Sequence, residues 1–75
     1  MPYIAIRSYP KDEDTKRRLV ERFNQDIMEI CGVPAQAITI SYEEIVPEEW
    51  ADKVVKTEVE PKMDKMYIVK GEKKY

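Results

Sequence analysis

The chain has 75 residues, with 13 Lys and Arg against 15 Asp and Glu, one cysteine and no histidine. This length predicts a single domain over residues 1–75 that buries only about 60% of its unfolded surface, so a partner subunit is the expected additional source of stability. The net charge of −2 argues against nucleic-acid binding, the lone Cys31 excludes an intramolecular disulfide, and a zinc site would lack its usual ligands.

The apolar runs of the sequence are all short. None is long enough to span a membrane, and none forms the core of a signal peptide. The basic run Lys16-Arg17-Arg18 is surrounded by acidic residues, which favours a solvated helix face. We therefore expect a cytoplasmic protein that uses neither metal nor cofactor and does not bind membranes or nucleic acid.

Residues 2–8 alternate in the way typical of a β-strand, which Pro10 ends. One face of this strand carries Ile4 and Ile6, and the other carries Tyr3, Ala5 and Arg7. A long helix follows, capped by Asp12 or Asp14 and closed by Gly32 and Pro34. Its apolar side chains predict one buried stripe, which consists of Leu19, Val20, Phe23, Ile27, Ile30 and Cys31.

Residues 37–43 alternate again and predict a second strand. A strand, a long helix and a strand make a βαβ unit, in which the strands are parallel and the crossover is right-handed. The predicted fold class is therefore α+β: a βαβ unit with two parallel strands, one long helix and a helical C-terminal segment.

The C-terminal segment begins with a second helix at Pro47, and Trp50 lies on its predicted buried side. Pro61 must kink or break that helix because it removes a hydrogen bond and clashes with the preceding turn. We expect residues 62–69 to add a helical turn or two, and the tail 70–75 to be mobile.

Pro2 is the residue with the most informative chemistry. Methionine aminopeptidases remove Met1 before a small side chain, which would leave a secondary amine held at the start of a strand. Desolvation would lower the pKa of this amine from about 7.7–8.0 and make it a general base near neutral pH. Many proteins begin Met-Pro without consequence, so the dipeptide alone does not predict catalysis.

Further features follow Pro2 in a fixed order along residues 2–50. They are the strand Tyr3–Ile6, a capped helix, Val33-Pro34, Ile38–Ile40, Glu43-Glu44 and Trp50. Taken together they resemble the 4-oxalocrotonate tautomerase family of the tautomerase superfamily. The stretch 45–50, the helical tail and the lack of a glycine-rich C-terminal hairpin resemble the subgroup of small dimeric bacterial tautomerases.

This resemblance implies an isomerase that interconverts the enol and keto forms of 2-oxo acids such as phenylenolpyruvate. It implies Pro2 as the catalytic acid–base and Trp50 as an aromatic wall of the site, although Trp50 is also suited to anchor the second helix. It further implies a homodimer, with a hexamer as the second possibility.

The hexameric members of the family also use two arginines to hold a dicarboxylate substrate. The equivalent positions here are approximately Asp12 and Thr39, and neither is cationic. Lys11 is a candidate replacement for one cation, and Thr39 is a candidate hydrogen-bonding group. Tyr3 and Arg7 complete the predicted substrate-binding residues.

Two other functions compete with this prediction. The missing arginines favour a non-catalytic dimerising βαβ module that has kept the tautomerase frame. Proline-based dehalogenation or decarboxylation is a third possibility, but the sequence offers no carboxylate or arginine pair that we can assign to activating water.

Overall fold

Two parallel strands and a long helix form the first of two units in the computed structural model, which describes residues 1–75. This unit, residues 1–45, contains β1 (Tyr3–Ser8), α1 (Glu13–Cys31), a 3₁₀ turn (Ala35–Ala37) and β2 (Thr39–Glu44). The strands pair in parallel from Tyr3 opposite Thr39 to Ser8 opposite Glu44. The predicted βαβ unit is confirmed, and β2 begins two residues later than expected because the turn precedes it.

Helix α1 begins and ends where the sequence predicts. The Asp12 carboxylate accepts hydrogen bonds from the Thr15 N–H at 3.2 Å and from the Thr15 hydroxyl at 2.6 Å. These bonds satisfy an N–H that the first helical turn would otherwise leave unpaired, and they hold the pKa of the Asp12 carboxyl below its usual value. At the other end Gly32 adopts a φ of +65° and donates its N–H to the Met28 carbonyl, a conformation that glycine adopts without strain.

The predicted buried stripe of α1 is only partly correct. Val20 and Ile27 are half-buried, but Phe23 and Ile30 are 39% and 83% exposed, and Cys31 is also exposed. The inward row of α1 continues instead through Asn24 and Met28. A sheet of two strands is only about 10 Å wide, so it covers a narrower arc of the helix than the apolar residues occupy.

The second unit, residues 46–75, begins with a helix at Pro47, as predicted. The first turn, α2 (Pro47–Trp50), is α-helical, the next stretch Ala51–Val59 is π-helical, and Glu60–Lys65 is 3₁₀-helical. The predicted break at Pro61 is visible at Lys62, which has a non-helical φ of −116°. The helical C-terminal segment is thus confirmed, although its hydrogen-bonding pattern changes twice.

The end of the chain differs from the prediction. The further helical turn predicted over residues 62–69 is present only up to Lys65, and Ile68–Val69 (β3) and Glu72–Lys73 (β4) then form an antiparallel hairpin instead of more helix and a mobile tail. Lys70 and Gly71 both have positive φ, 49° and 80°, and two such residues are what a tight two-residue hairpin turn requires. The prediction of a mobile tail over residues 70–75 was wrong, because Lys70-Gly71 forms the turn of a hairpin.

Few hydrophobic side chains are buried. Ile45 and Val54 are 5% and 6% exposed and are the only buried hydrophobic residues. No helix has the length and apolar character needed to cross a membrane. The cytoplasmic location and the single-domain organisation of residues 1–75 stay predictions.

Candidate functional site

Met1 and Pro2 form backbone hydrogen bonds with residues just before β2 and at its start. The Thr39 N–H donates to the Pro2 carbonyl at 3.1 Å, and the amine of Met1 donates to the Ala37 carbonyl. Pro2 itself is half-buried. Only the bond from Thr39 involves Pro2 itself, so it would remain after loss of Met1, which would convert the amide nitrogen of Pro2 into a secondary amine at the start of β1.

Two predicted substrate-binding residues lie at the same end of the sheet. Tyr3 pairs with Thr39 in the parallel register, and the Tyr3 hydroxyl lies 3.3 Å from the Ser41 hydroxyl. Tyr3, Thr39 and Ser41 are all exposed. They alternate along the two strands with the half-buried Ile4 and Ile40. This end of the sheet thus presents hydroxyl groups next to the start of β1.

The two predicted cations lie at the opposite end. Arg7 pairs with Glu43 in the register and forms an ion pair with it, with the Nε and Oε1 atoms 3.1 Å apart. Lys11 follows the end of β1 and donates its backbone N–H to the Glu44 carboxylate at 2.8 Å. At about 3.3 Å per residue, the strand from Tyr3 to Ser8 spans roughly 16 Å. Within one chain, Lys11 therefore lies too far from Pro2 to share a small substrate with it.

Trp50 belongs to the second unit. It is the last residue of α2 and is half-buried. The structure contains no cluster of three or more side chains that could hold a metal ion.

Comparison with known proteins gives this geometry a context. No family model matches the sequence. Over 66 residues the chain is 26% identical to tautomerase PptA of Cronobacter sakazakii (strain ATCC BAA-894), a match that covers 85% of this chain and 87% of that protein. This distant homology supports membership of the tautomerase superfamily. Since the match is longer than the 45 residues of the first unit, the similarity to a tautomerase extends into the second.

Asp12 lies approximately where the hexameric members of the family have one of their arginines. In this tautomerase-like chain Asp12 has a structural role. The Asp12 carboxylate caps α1 through Thr15. Thr39, at the other such position, remains exposed beside Tyr3.

Sequence reasoning missed the contribution of Glu44. Its carboxylate accepts from the Lys11 N–H and also from the Lys16 ammonium at 3.1 Å. The Lys11 bond, followed by the Lys16 bond, holds the pKa of the Glu44 carboxyl below its usual value, while Glu44 and then Glu13 raise the pKa of Lys16. No local signal predicts these contacts, because Glu44 and Lys11 are 33 residues apart and meet only once β2 lies beside β1.

Proposed function

We propose that this tautomerase-like protein catalyses enol–keto tautomerisation of 2-oxo acids, with the amine of Pro2 as general acid–base. Distant homology to a tautomerase supports the reaction class. The observation that favours Pro2 is its hydrogen-bonded, half-buried position at the start of β1. A base held by a sheet stays in place while a proton moves, which a base on a mobile arm would not do.

In the proposed reaction the neutral Pro2 amine removes the proton from the enol hydroxyl of the substrate. The electron pair of the O–H bond forms the carbonyl, and the electrons of the carbon–carbon double bond take up a proton at carbon from the Pro2 ammonium. The amine is thereby returned to its neutral form. No other reactant is required, and general acid–base groups of this kind typically contribute about 10²–10⁴-fold in rate.

Other residues have supporting roles in this proposal. Thr39 is a hydrogen-bond donor for the oxygen that carries negative charge during the reaction, since it lies beside Tyr3 at the Pro2 end of the sheet. Trp50 is proposed to wall the site and exclude water, which would keep the pKa of the Pro2 amine low.

We also propose that the active protein is a homodimer, with a hexamer as the second candidate. A chain with only two buried hydrophobic residues gains from a partner that covers its apolar surface. We propose that the second subunit also supplies the cation, with Lys11 or Arg7 of one subunit placed near Pro2 of the other, because Lys11 of the same chain is too distant.

The proposed substrate class is an aryl enol of a 2-oxo acid, such as phenylenolpyruvate. Its single carboxylate needs one cation, whereas a dicarboxylate needs charge neutralisation at both ends. Asp12 caps α1 and Thr39 is uncharged, so neither supplies the second cation.

The alternative function is a non-catalytic dimerising module that keeps the tautomerase frame. It is favoured by the ion pair that engages Arg7 with Glu43 and by the lack of arginines at the two family positions. An ultraviolet assay of phenylenolpyruvate ketonisation, on protein whose intact mass shows that Met1 is absent, distinguishes the two. Turnover that falls by about 10²-fold in Pro2→Ala supports the isomerase, and no turnover above the buffer rate in the parent protein supports the module.

A further inference from the structure

A single carboxylate connects three elements at the end of the sheet opposite Pro2. One oxygen of Glu44, at the end of β2, accepts from the backbone N–H of Lys11 at 2.8 Å. The other oxygen accepts from the ammonium of Lys16, on the first turns of α1, at 3.1 Å. Glu44 therefore links the loop between β1 and α1 both to β2 and to the helix.

The residues on either side of Lys11 have their own restraints. Before it, the Ser8 hydroxyl lies 2.6 Å from the Tyr42 hydroxyl and donates to the Tyr9 carbonyl at 2.7 Å. After it, Asp12 is held by its bonds to Thr15. Between these anchors, the bond to Glu44 fixes the backbone of Lys11 itself.

Lys11 differs from its cationic neighbours because its ammonium has no carboxylate partner. The Lys16 ammonium is shared between Glu13 and Glu44, and Arg7 pairs with Glu43. The Lys11 ammonium forms no ion pair, and the residue is exposed. Lys11 thus combines a fixed backbone with a side-chain charge that is available to a ligand.

We propose that Glu44 is a positioning residue that holds Lys11 for the carboxylate of the substrate. The inference rests on the proposed function, in which Lys11 of one subunit supplies that contact to a substrate bound at Pro2 of the other. Fixing the backbone before binding reduces the entropy lost when the lysine is immobilised on the ligand. We therefore expect Glu44 to raise the affinity for substrate and to leave the rate of proton transfer unchanged.

Three variants separate the Lys11 bond from the Lys16 bond. Glu44→Ala removes both and is expected to raise KM roughly 3- to 10-fold, the range for one hydrogen bond, with kcat nearly unchanged. Glu44→Gln keeps an amide oxygen for the Lys11 N–H but loses the charge that pairs with Lys16. Lys16→Met removes only the ion pair. Both of these controls are expected to keep KM within about twofold of the parent.

A double-mutant cycle tests whether Glu44 acts through Lys11. Lys11→Ala should raise KM, and adding Glu44→Ala to it should have no further effect, because no ammonium remains to be positioned. Independent effects that multiply would overturn the proposal. An unchanged KM in Glu44→Ala, alongside a raised KM in Lys11→Ala, would overturn it too. Far-ultraviolet circular dichroism of each variant confirms that it is folded.

Hydrogen exchange, measured without substrate, tests the positioning role of Glu44 independently of the proposed isomerase activity. Hydrogen exchange at the Lys11 amide should be faster in Glu44→Ala than in the parent and nearly unchanged in Glu44→Gln. Faster exchange without any Pro2-dependent turnover would refute the isomerase while showing that Glu44 holds Lys11. Unchanged exchange in Glu44→Ala would refute the positioning role even in an active enzyme, and so would an unchanged KM in Lys11→Ala.

Discussion

Thr39 donates its backbone N–H to the carbonyl oxygen of Pro2 at 3.1 Å, and this bond fixes the start of β1 against the start of β2. It involves only main-chain atoms of Pro2, so it does not depend on the proline ring. A substitution at position 2 can therefore change the chemistry of the amine without changing its place in the sheet.

The first prediction concerns the amine of Pro2, whose chemistry can be changed without loss of the bond to Thr39. Pro2→Ala, processed to a free N-terminus, should lower the ketonisation rate by about 10²-fold, because a primary amine replaces the ring amine as acid–base. The Tm should be nearly unchanged, since the bond to Thr39 remains. Steady-state assays on protein of verified mass measure the first effect, and a thermal melt measures the second. Activity within a factor of two of the parent would remove Pro2 from the mechanism.

The second prediction concerns stability. Ile45 is 5% exposed and donates its N–H to the Ser8 carbonyl at 2.9 Å. Ile45→Ala should lower the free energy of unfolding by about 2–5 kcal/mol, because it removes buried methyl groups and leaves a cavity. The matched control Ile30→Ala, at a site 83% exposed, should change it by less than about 0.5 kcal/mol.

Urea unfolding at one fixed protein concentration makes this comparison valid if the protein is oligomeric. Equal losses in the two variants would show that the Ile30 side of α1 is covered in solution, contrary to its exposure in a single chain.

Local signals explain which parts of the fold were predictable from the sequence. Asp12 and Gly32 marked the ends of α1 because capping depends on residues within one turn. Leu19, Phe23 and Ile30 were wrongly assigned to the buried stripe, because helical periodicity does not report the width of the surface against which a helix packs.

Less of the candidate site could be predicted. Pro2 is a candidate because removal of Met1 would give it a secondary amine, and its catalytic role stays a prediction. The distance between Lys11 and Pro2 follows from the parallel register of β1 and β2, and the Lys11–Glu44 bond joins residues 33 apart in sequence. Neither relationship is encoded in a short motif.

The third prediction concerns acid stability. The pKa values of the Asp12 and Glu44 carboxyls are held below their usual values, chiefly by hydrogen bonds from Thr15 and Lys11 respectively. Because each folded-state pKa lies below the unfolded one, the stabilisation is complete above the unfolded pKa and disappears as pH falls through the folded pKa. The Tm should therefore decline below about pH 4.

Glu44→Gln supplies the control for this titration, because its amide keeps an acceptor for Lys11 but does not ionise. Its Tm should depend less steeply on pH in the acid range than that of the parent. Superimposable slopes for the two proteins would mean that Glu44 contributes nothing to the acid transition.

The fourth prediction concerns assembly. Light scattering at micromolar concentration should give twice the chain mass of 8.9 kDa for the proposed homodimer. Six times that mass would support the hexamer instead. A mass near 8.9 kDa would refute both and would also remove the proposed source of a cation for the Pro2 site.

The last prediction concerns substrate choice, and it follows from the non-cationic Asp12 and Thr39. Loss of a charge-assisted contact typically costs about 1.5–3 kcal/mol, or roughly one to two decades in binding or rate. Phenylenolpyruvate needs one such contact and 2-hydroxymuconate needs two. We therefore expect phenylenolpyruvate to be turned over with the higher kcat/KM.

Lys11→Ala tests where that one contact originates. It should raise KM for phenylenolpyruvate more than it lowers kcat, because the lysine binds the carboxylate and takes no part in proton transfer. Lys70→Ala is a matched control, since Lys70 lies in the turn of the C-terminal hairpin and has no role in the proposed site. A clear preference for 2-hydroxymuconate would mean that two cations reach the substrate, and Arg7 would then have to leave Glu43 to provide one of them.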